Sequence, residues 1–412
     1  MSKAETCPRL RSLEMIFMPH PTFGKALVLR DREGIATTAI AIRADLAPIV
    51  TCLDGFRSAD DVARLASRQM GRLIDTSVVK RIVADLDAAK MLDTPSFREK
   101  RREVVATFLA APDRPAFHAG GAYDANPMVL GRFIEEQCLA KAPHAASAAG
   151  MRAICSPHMD LFRAAEGYGH AYRALADGLS SEVDTFFLLG TSHAPMRRPF
   201  AVCDKRFLTP EGALRPNHAL IDKLARKSLF DVRADEYLHK AEHSIELQAV
   251  FLRHLVGDKP VSIVPILCGL GDAPSALSDP AKNADTESFL DALREIVEQL
   301  GRRAFLIAGA DLAHVGPRFG DAKPLDAVGR EALAARDRES ITLMEQNDAT
   351  GFYFQVAADL KARRVCGLGP IYTLLRALPP TTGGELLHYT QHVDSDEGSV
   401  VSHASLAFHE RA

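Results

Sequence analysis

Three apolar runs of the sequence each end at a histidine, and this pattern constrains the fold more than any other feature. The runs read ICSPHMD at residues 154–160, FFLLGTSH at 186–193 and FLIAGADLAH at 305–314. Helical patterns separate these strand-like runs, and such alternation is typical of an α/β sheet. Ligands of open α/β sheets bind beyond the carboxyl ends of the strands. We therefore expect His158, His193 and His314 to approach one another, together with Asp311.

The alternation extends from residue 113 to the end of the sequence. The apolar patterns predict strands at residues 152–155, 184–189, 261–267 and 304–309. Helical patterns lie between and after them, at residues 127–140, 167–179, 217–229, 241–256, 286–300, 326–360 and 369–378. Residues 386–392 and 399–408 are predicted to form a final antiparallel pair. The predicted fold is α/β, with a mixed, mostly parallel central sheet flanked by helices.

Residues 1–96 have a different pattern and are predicted to form a small, mainly helical N-terminal domain. A strand-like run at residues 25–30 indicates a hairpin. Residues 44–96 have helical patterns, and Ser58 and Asp61 are predicted to form a capping box at the start of one helix. Residues 20–95 resemble winged-helix and PqqD-like domains, which bind peptides, nucleic acid or partner proteins. A purely structural appendage is the alternative. A helix over residues 97–112 would link this domain to residues 113–412.

Composition excludes several classes of function. The 50 basic and 53 acidic residues give a formal net charge of −3, which does not favour binding to nucleic acid or to an anionic membrane. No apolar run approaches the ~18 residues of a transmembrane helix. The first ten residues lack the apolar core of a signal peptide, so we expect a cytoplasmic protein. The sequence contains neither a phosphate-binding loop nor a GxGxxG fingerprint, so no nucleotide cofactor is indicated.

The segment EHSIE at residues 242–246 is a second candidate for chemistry. On a helix His243 and Glu246 share a face. His243 could then transfer protons, with Glu246 as its orienting partner. The alternative is an ordinary helix start, where acidic residues are favoured by the helix dipole.

Cys366 lies in the segment CGLGPI, which predicts a tight turn before a helix. A helix N-terminus lowers the pKa of a thiol and favours the thiolate, which binds metals or attacks electrophiles. Cys366 could therefore be a metal ligand or a nucleophile, and the alternative is a cysteine packed in a turn. Cys155, at the end of a predicted strand, is expected to be a core residue.

Seven segments together resemble the Memo-like family, also described as protein B of the AmmeMemoRadiSam system. In chain order they read RPAFHAGGAY (114–123), SPH (156–158), LGTSH (189–193), EHSIE (242–246), DLAHVG (311–316), CGLGPI (366–371) and GSVVSHASLAF (398–408). The resemblance covers about residues 113–410. It implies a fold similar to that of class III extradiol dioxygenases, which are non-haem iron enzymes.

The resemblance also implies a metal site. It makes His158, His193 and Cys366 the metal ligands, and His243, His314 and Asp311 catalytic groups in the same pocket. The other pocket residues that it implies are Glu246, Ser192, His403 and Tyr123. Two imidazoles and a thiolate suit iron, which we expect, and also copper or zinc. The ring-cleaving relatives use a carboxylate as third ligand, so Cys366 favours redox chemistry other than catechol cleavage.

The sequence leaves more than one function open. The first hypothesis is a metal-dependent oxidoreductase acting on an unidentified small molecule or peptide. The second is a non-catalytic adaptor that binds a partner in a degenerate pocket, and the third is a thiol enzyme with Cys366 as nucleophile. The family name implies a radical SAM protein as a partner. Ala122 and His403 stand where the family commonly has tryptophan and tyrosine, which would change the rim of the pocket.

Overall fold

The computed structural model describes residues 6–144, 150–271, 275, 278–395 and 397–411. The chain divides into two compact units between Ala110 and Ala111. The helix that we predicted as a linker covers Pro95–Ala110 and belongs to the first unit. Among the described residues, no helix is both long and apolar enough to cross a membrane.

The first unit combines an antiparallel sheet with helices. Its strands, in sheet order, are β1 (Glu14–His20), β2 (Gly24–Arg30) and β3 (Ile40–Arg43). Its helices are α1 (Ala47–Thr51), α2 (Ala59–Met70), α3 (Thr76–Ala88) and α4 (Pro95–Ala110). The predicted hairpin is present as β1 and β2, and the structure adds β3, so the unit is less helical than the sequence indicated.

The predicted capping box begins α2. Ser58 accepts a hydrogen bond from the amide of Asp61, whose carboxylate accepts one from the amide of Ser58. Helices and sheet then bury a common apolar core that includes Leu27, Val62 and Val79. The resemblance to winged-helix and PqqD-like domains stays a prediction from the sequence.

Among its described residues, the second unit is built on one mixed sheet of eleven strands. They are β4 (Asp113–Arg114), β5 (Met151–Ser156), β6 (Thr185–Gly190), β7 (Phe200–Val202), β8 (Arg206–Thr209), β9 (Gly212–Pro216), β10 (Ser262–Cys268), β11 (Ala304–Gly309), β12 (His314–Val315), β13 (Thr382–Val393) and β14 (Val400–Glu410). The main strand order is β12-β14-β5-β11-β6-β10-β9-β8-β4, with β13 paired to β14 and β7 to β10. The four neighbours β5, β11, β6 and β10 are parallel, and they are the four strands that the apolar runs predicted.

Helices cover both faces of this sheet. They are α5 (Pro127–Phe133), α6 (Ala165–Gly178), α7 (His218–Lys227), α8 (His243–Val256), α9 (Ala284–Leu300), α10 (Ala327–Glu345), α11 (Ala349–Arg363) and α12 (Leu368–Ala377). One face of the parallel strands packs into a core with α7 and α9 to α12. Helices α6 and α8 also pack on these strands, α6 on β5 and α8 on β6 and β11. The central strands are therefore buried on both faces, which explains their continuous apolar sequence.

The long helical pattern at residues 326–360 forms two helices, α10 and α11. The break falls at Asn347, whose φ of 58° is left-handed and ends the first helix. The predicted antiparallel finish is present as β13 and β14. The strands that the sequence did not predict, such as β4 and β12, are two to five residues long, too short to show an apolar period.

Candidate metal centre

The parallel strands end together, and this brings the predicted residues to one edge of the sheet. Gly309 at the end of β11 pairs with Ser156 of β5 on one side and with Gly190 of β6 on the other. His158 and Asp311 each follow their strand end by two residues, and His193 follows its own by three. The register of the sheet therefore places these side chains side by side.

Three imidazoles converge at this edge. The ligand atoms of His158, His193 and His243 all lie within 4.8 Å of one another. The ring centroids are 5.2 Å apart for His158 and His193 and 4.5 Å apart for His193 and His243. His158 is buried, and the other two rings are partly exposed. His243, predicted as a proton-transfer residue, therefore belongs to the same group as the two predicted ligands.

Cys366 lies next to the imidazole group. Its Sγ is 3.2 Å from Nε2 of His158, and the neighbouring His193 opposes the burial that raises the pKa of the thiol. The segment before α12 is held in place by Thr191, whose hydroxyl donates to the carbonyl of Cys366 over 2.9 Å. Cys366 therefore lies beside the imidazole group, and its role as a metal ligand stays a prediction from the resemblance.

Outer hydrogen bonds orient two of the rings. Nδ1 of His158 lies 2.9 Å from the carbonyl oxygen of Gly309, and Nδ1 of His193 lies 3.0 Å from Oε1 of Glu242. A carbonyl can only accept, so Nδ1 of His158 donates to it, and Nε2 is the nitrogen that faces Cys366. Such a partner on one nitrogen is typical of metal-binding histidines.

Glu242 is the functional residue that the sequence analysis missed. Its carboxylate accepts from the amides of Ser244 (3.0 Å) and His193 (2.8 Å), and it lies 3.3 Å from Nδ1 of His243. Burial alone would raise its pKa, but His193 and His243 hold the pKa of this carboxyl well below its usual value. Glu242 caps α8 and also orients the rings of His193 and His243. The sequence could have indicated this role, because an acidic residue directly precedes His243 at a predicted helix start.

Replacing Glu242 by glutamine is expected to weaken metal binding about 10- to 100-fold, the usual cost of losing an outer partner of a histidine ligand. Glutamine keeps the shape and the capping oxygen but removes the charge that faces His193. A competition titration with a chromogenic chelator measures the effect.

Glu211→Gln is the matched control for that titration, because Glu211 pairs with His254 away from the site. Equal affinity of Glu242→Gln and wild type would contradict the orienting role of Glu242.

Glycines allow α8 to reach the strand ends. A Cβ on Gly309 would lie 2.5 Å from the carbonyl oxygen of Ser244, and one on Gly190 would lie 2.5 Å from the Ser244 hydroxyl. Any side chain at either position would push the start of α8 away from the sheet. These glycines therefore permit the approach of Glu242 and His243.

Asp311 positions the backbone of a predicted ligand. Its Oδ1 accepts from the amide of His158 over 3.0 Å, and its Oδ2 lies 3.7 Å from Nε2 of the same residue. Burial alone would raise the pKa of Asp311, but His158, His403 and His314 lower it below the usual value. Asp311 therefore supplies a negative charge directly beside the imidazole group.

His314 lies near this charge but outside the group of three imidazoles. Its Nδ1 is 3.3 Å from the carbonyl oxygen of Leu312, and its ring packs edge-on against Phe319. Burial lowers the pKa of His314 to about 4, against the opposing effect of Asp311. The ring is therefore neutral near pH 7, and its predicted catalytic role stays a prediction.

The prediction that Glu246 orients His243 was wrong. The Glu246 carboxylate is fully buried and is held by the Arg114 guanidinium, the Tyr123 hydroxyl and the amide of His118. The predicted pocket residue Tyr123 therefore belongs to the hydrogen-bond network around Glu246. His243 is paired with Glu242 instead, because the residue that caps the helix lies closer to its ring than the residue one turn on.

The expected low pKa of the Cys366 thiol was also wrong. Burial raises the pKa of Cys366, and the hydrogen bond from His193 offsets only part of this effect. Cys366 lies two residues before α12 and is partly buried, and the desolvation that comes with this burial disfavours the thiolate. A nucleophilic role for Cys366 without a metal is therefore disfavoured.

The two remaining predicted pocket residues are Ser192 and His403. Ser192 directly precedes His193, and its hydroxyl donates to the carbonyl oxygen of Ala194 over 2.7 Å. His403 is fully buried on β14. A Cβ on Gly167 of α6 would lie 2.7 Å from Cε1 of His403, so that ring packs against the helix backbone.

Comparison with known proteins identifies the family of this chain. The family model described as "Memo-like protein" matches residues 114–407. A MEMO1 family protein of Aquifex aeolicus is 29% identical over 391 residues, which cover 94% of this chain and 97% of that protein. The memo-1 homolog of Caenorhabditis elegans is 29% identical over 309 residues, which cover 71% of this chain and 81% of the homolog.

The relatives differ in how much of this chain they match. A MEMO1 family protein of Archaeoglobus fulgidus is 27% identical over 97% of its own length but covers 70% of this chain, whereas the Aquifex similarity extends into the first unit. A solved structure of an uncharacterised Escherichia coli K12 protein aligns over 62% of this chain with a TM-score of 0.33 and 11% identity. That likeness is too low to inform function.

Proposed function

This chain belongs to the Memo-like family, and on that premise we propose that it is a metal-dependent protein whose centre performs redox chemistry. The single observation that carries the proposal is the convergence of His158, His193 and Cys366. Nδ1 of each of these two histidines faces an acceptor, and the sulfur lies 3.2 Å from Nε2 of His158.

The donor atoms fit a transition metal. Two neutral imidazoles and one thiolate suit zinc, copper or iron, and we propose iron. Binding requires the Cys366 thiol to lose its proton, because the thiolate is the ligand form. His193 must lose one as well, because, against the effect of burial, Glu242 and Cys366 raise the pKa of this ring to about 9. The raised pKa of Cys366 means that a bound cation, rather than the protein alone, would stabilise the thiolate. A bound iron would supply one-electron redox chemistry and polarise a ligand at an open coordination position.

The residues around the centre have different proposed roles. His158, Gly309 and Asp311 form the buried wall, where the backbone and ring of His158 are fixed. His193, His243 and Cys366 are partly exposed, so a small molecule can approach from this side. His243 can accept or deliver a proton there, or can itself be a ligand. Glu242 contacts both His193 and His243, so it would hold the two rings in either arrangement.

The test is an optical titration of tag-free protein loaded anaerobically with iron(II). On oxidation we expect a visible thiolate-to-iron charge-transfer band that is absent from Cys366→Ser. Cys155→Ala is the matched control, because Cys155 is a buried core thiol close to the same strand end and should leave the band unchanged. Bound iron that cannot be oxidised and reduced would contradict the redox part of the proposal.

A further inference from the structure

A second cluster of metal-binding side chains lies outside the centre described above. Glu166 and His170 of α6 and His388 of β13 place one ligand atom each within 4.8 Å of the others. The rings of His170 and His388 are stacked, with centroids 4.7 Å apart and an angle of 17° between the planes. His170 and His388 are half-buried and Glu166 is exposed, so an ion can reach the cluster from solvent.

Local structure explains how these residues meet. Glu166 and His170 are four residues apart on α6, so their side chains lie on the same face of the helix. The pairing of β13 with β14 shifts between Leu386, which faces Leu406, and His388, which faces Ser405. One extra residue is thereby inserted into β13, and such a bulge changes the direction of the following side chains. The Ser405 hydroxyl donates to the carbonyl oxygen of Gly167, so the face shared by Ser405 and His388 is the face covered by α6.

Polar atoms in this region lack partners. Nε2 of His388 is buried and has no hydrogen-bond partner among the described residues. The same is true of both ring nitrogens of His403, a fully buried side chain whose ring centroid lies 6.3 Å from that of His388. Buried polar atoms are satisfied in the great majority of cases, so unpaired nitrogens beside a carboxylate need an explanation.

We propose that Glu166, His170 and His388 bind a divalent transition metal ion of the zinc type. Two imidazoles and one carboxylate are the donor set of three-ligand zinc sites, which leave a coordination position open. The ion would use the unpaired Nε2 of His388. The neighbouring His403 is then available to a molecule bound at the open position. This site shares no residue with the His158, His193 and Cys366 centre.

The competing explanation is that the two histidines merely pack against each other. Stacking would account for the parallel rings of His170 and His388. It does not account for the carboxylate of Glu166 within reach of both rings, or for the buried nitrogen of His388 without a partner. Stacking alone therefore leaves the position of Glu166 and the buried nitrogen of His388 unexplained, whereas a bound cation accounts for both.

Equilibrium dialysis of tag-free protein against zinc, followed by metal analysis, tests the proposal. Wild type is expected to retain one zinc equivalent more per chain than either His388→Gln or Glu166→Gln. In each variant, the affinity of this site for zinc should fall by more than ~100-fold, which is the loss expected when only the hydrogen-bond partner of a ligand is removed. His218→Gln is the matched control, because His218 is an exposed histidine paired with the carboxylate of Asp204 elsewhere on the surface.

Two features make the result decisive. Glu166 is exposed, so Glu166→Gln is expected to fold even if a change at the half-buried His388 disturbs packing; circular dichroism checks both variants. His193→Gln changes only the first centre. When His193→Gln and Glu166→Gln are combined, the zinc lost should equal the sum of the losses in the two single variants. Retention of wild-type zinc by both Glu166→Gln and His388→Gln would overturn the second site, whatever the first centre binds.

Discussion

His193→Ala and Cys366→Ala are each expected to lose one metal equivalent per chain relative to wild type. Each change removes a donor atom from a close group: the sulfur lies 3.2 Å from Nε2 of His158, and the ligand atoms of His158 and His193 lie within 4.8 Å of each other. The loss of affinity should exceed the ~100-fold typical of an outer partner. Metal analysis after anaerobic purification and competition with a chelator measures both quantities.

His254→Ala is the matched control for this experiment. His254 also pairs with carboxylates, with Glu211 on one ring nitrogen and Glu135 on the other. It lies near the C-terminal end of α8, whereas the site is at the N-terminal end. It should keep the wild-type metal content. Equal metal content in His193→Ala, Cys366→Ala and wild type would refute the assignment of these residues as ligands.

Arg114→Ala is expected to destabilise the second unit by about 3–5 kcal/mol, the cost of leaving one partner of a buried ion pair without the other. The side chains of Arg114 and Glu246 are almost completely buried and form an ion pair. The guanidinium also donates to the carbonyl oxygens of His239 and Glu242, each within 3 Å. The change therefore leaves a buried carboxylate without its positive partner and the two carbonyl oxygens without the guanidinium as donor.

Urea unfolding followed by circular dichroism measures this loss, since the chain has no tryptophan to report by fluorescence. Arg206→Ala is the control: Arg206 pairs with Asp113, the residue next to Arg114, but at the surface, where ion pairs contribute little. We also expect Arg114→Ala to weaken metal binding, because Arg114 holds the segment that contains Glu242. A variant as stable as Arg206→Ala would show that the buried pair does not stabilise the fold.

The sequence predicted those parts of the site that depend on strand ends. Parallel strands in register bring together the residues that follow them. The apolar runs that end near His158, His193 and Asp311 were therefore sufficient to predict that these side chains lie close together. Cys366 could be added only through the resemblance to a family. Its position depends on the turn before α12, which packs against the strand ends from elsewhere in the chain.

The parts that the sequence did not predict depend on distances across the fold. Helical spacing correctly put His243 and Glu246 on one face, but it could not show that Arg114 and Tyr123 hold Glu246 from another segment. It also could not show that burial outweighs the helix N-terminus at Cys366. The bulge before His388 is a matter of strand register, which the apolar pattern of β13 did not reveal.

The partners of the protein stay predictions. A small molecule or peptide at the centre, a radical SAM protein as a partner, and the adaptor hypothesis all come from the sequence and the family resemblance. The Aquifex relative matches almost the entire chain, so the first unit is shared with at least one other member of the family. A role in recruiting a partner is therefore a property to test on the full chain.

The central claim is that His158, His193 and Cys366 bind one metal ion. An anomalous difference map, collected at the absorption edge of the metal from crystals of the metal-loaded protein, tests it most directly. We predict a peak at bonding distance, about 2.0–2.3 Å, from a ring nitrogen of each histidine and from the sulfur. A map with no peak between these three residues, from crystals that contain the metal, would contradict the account.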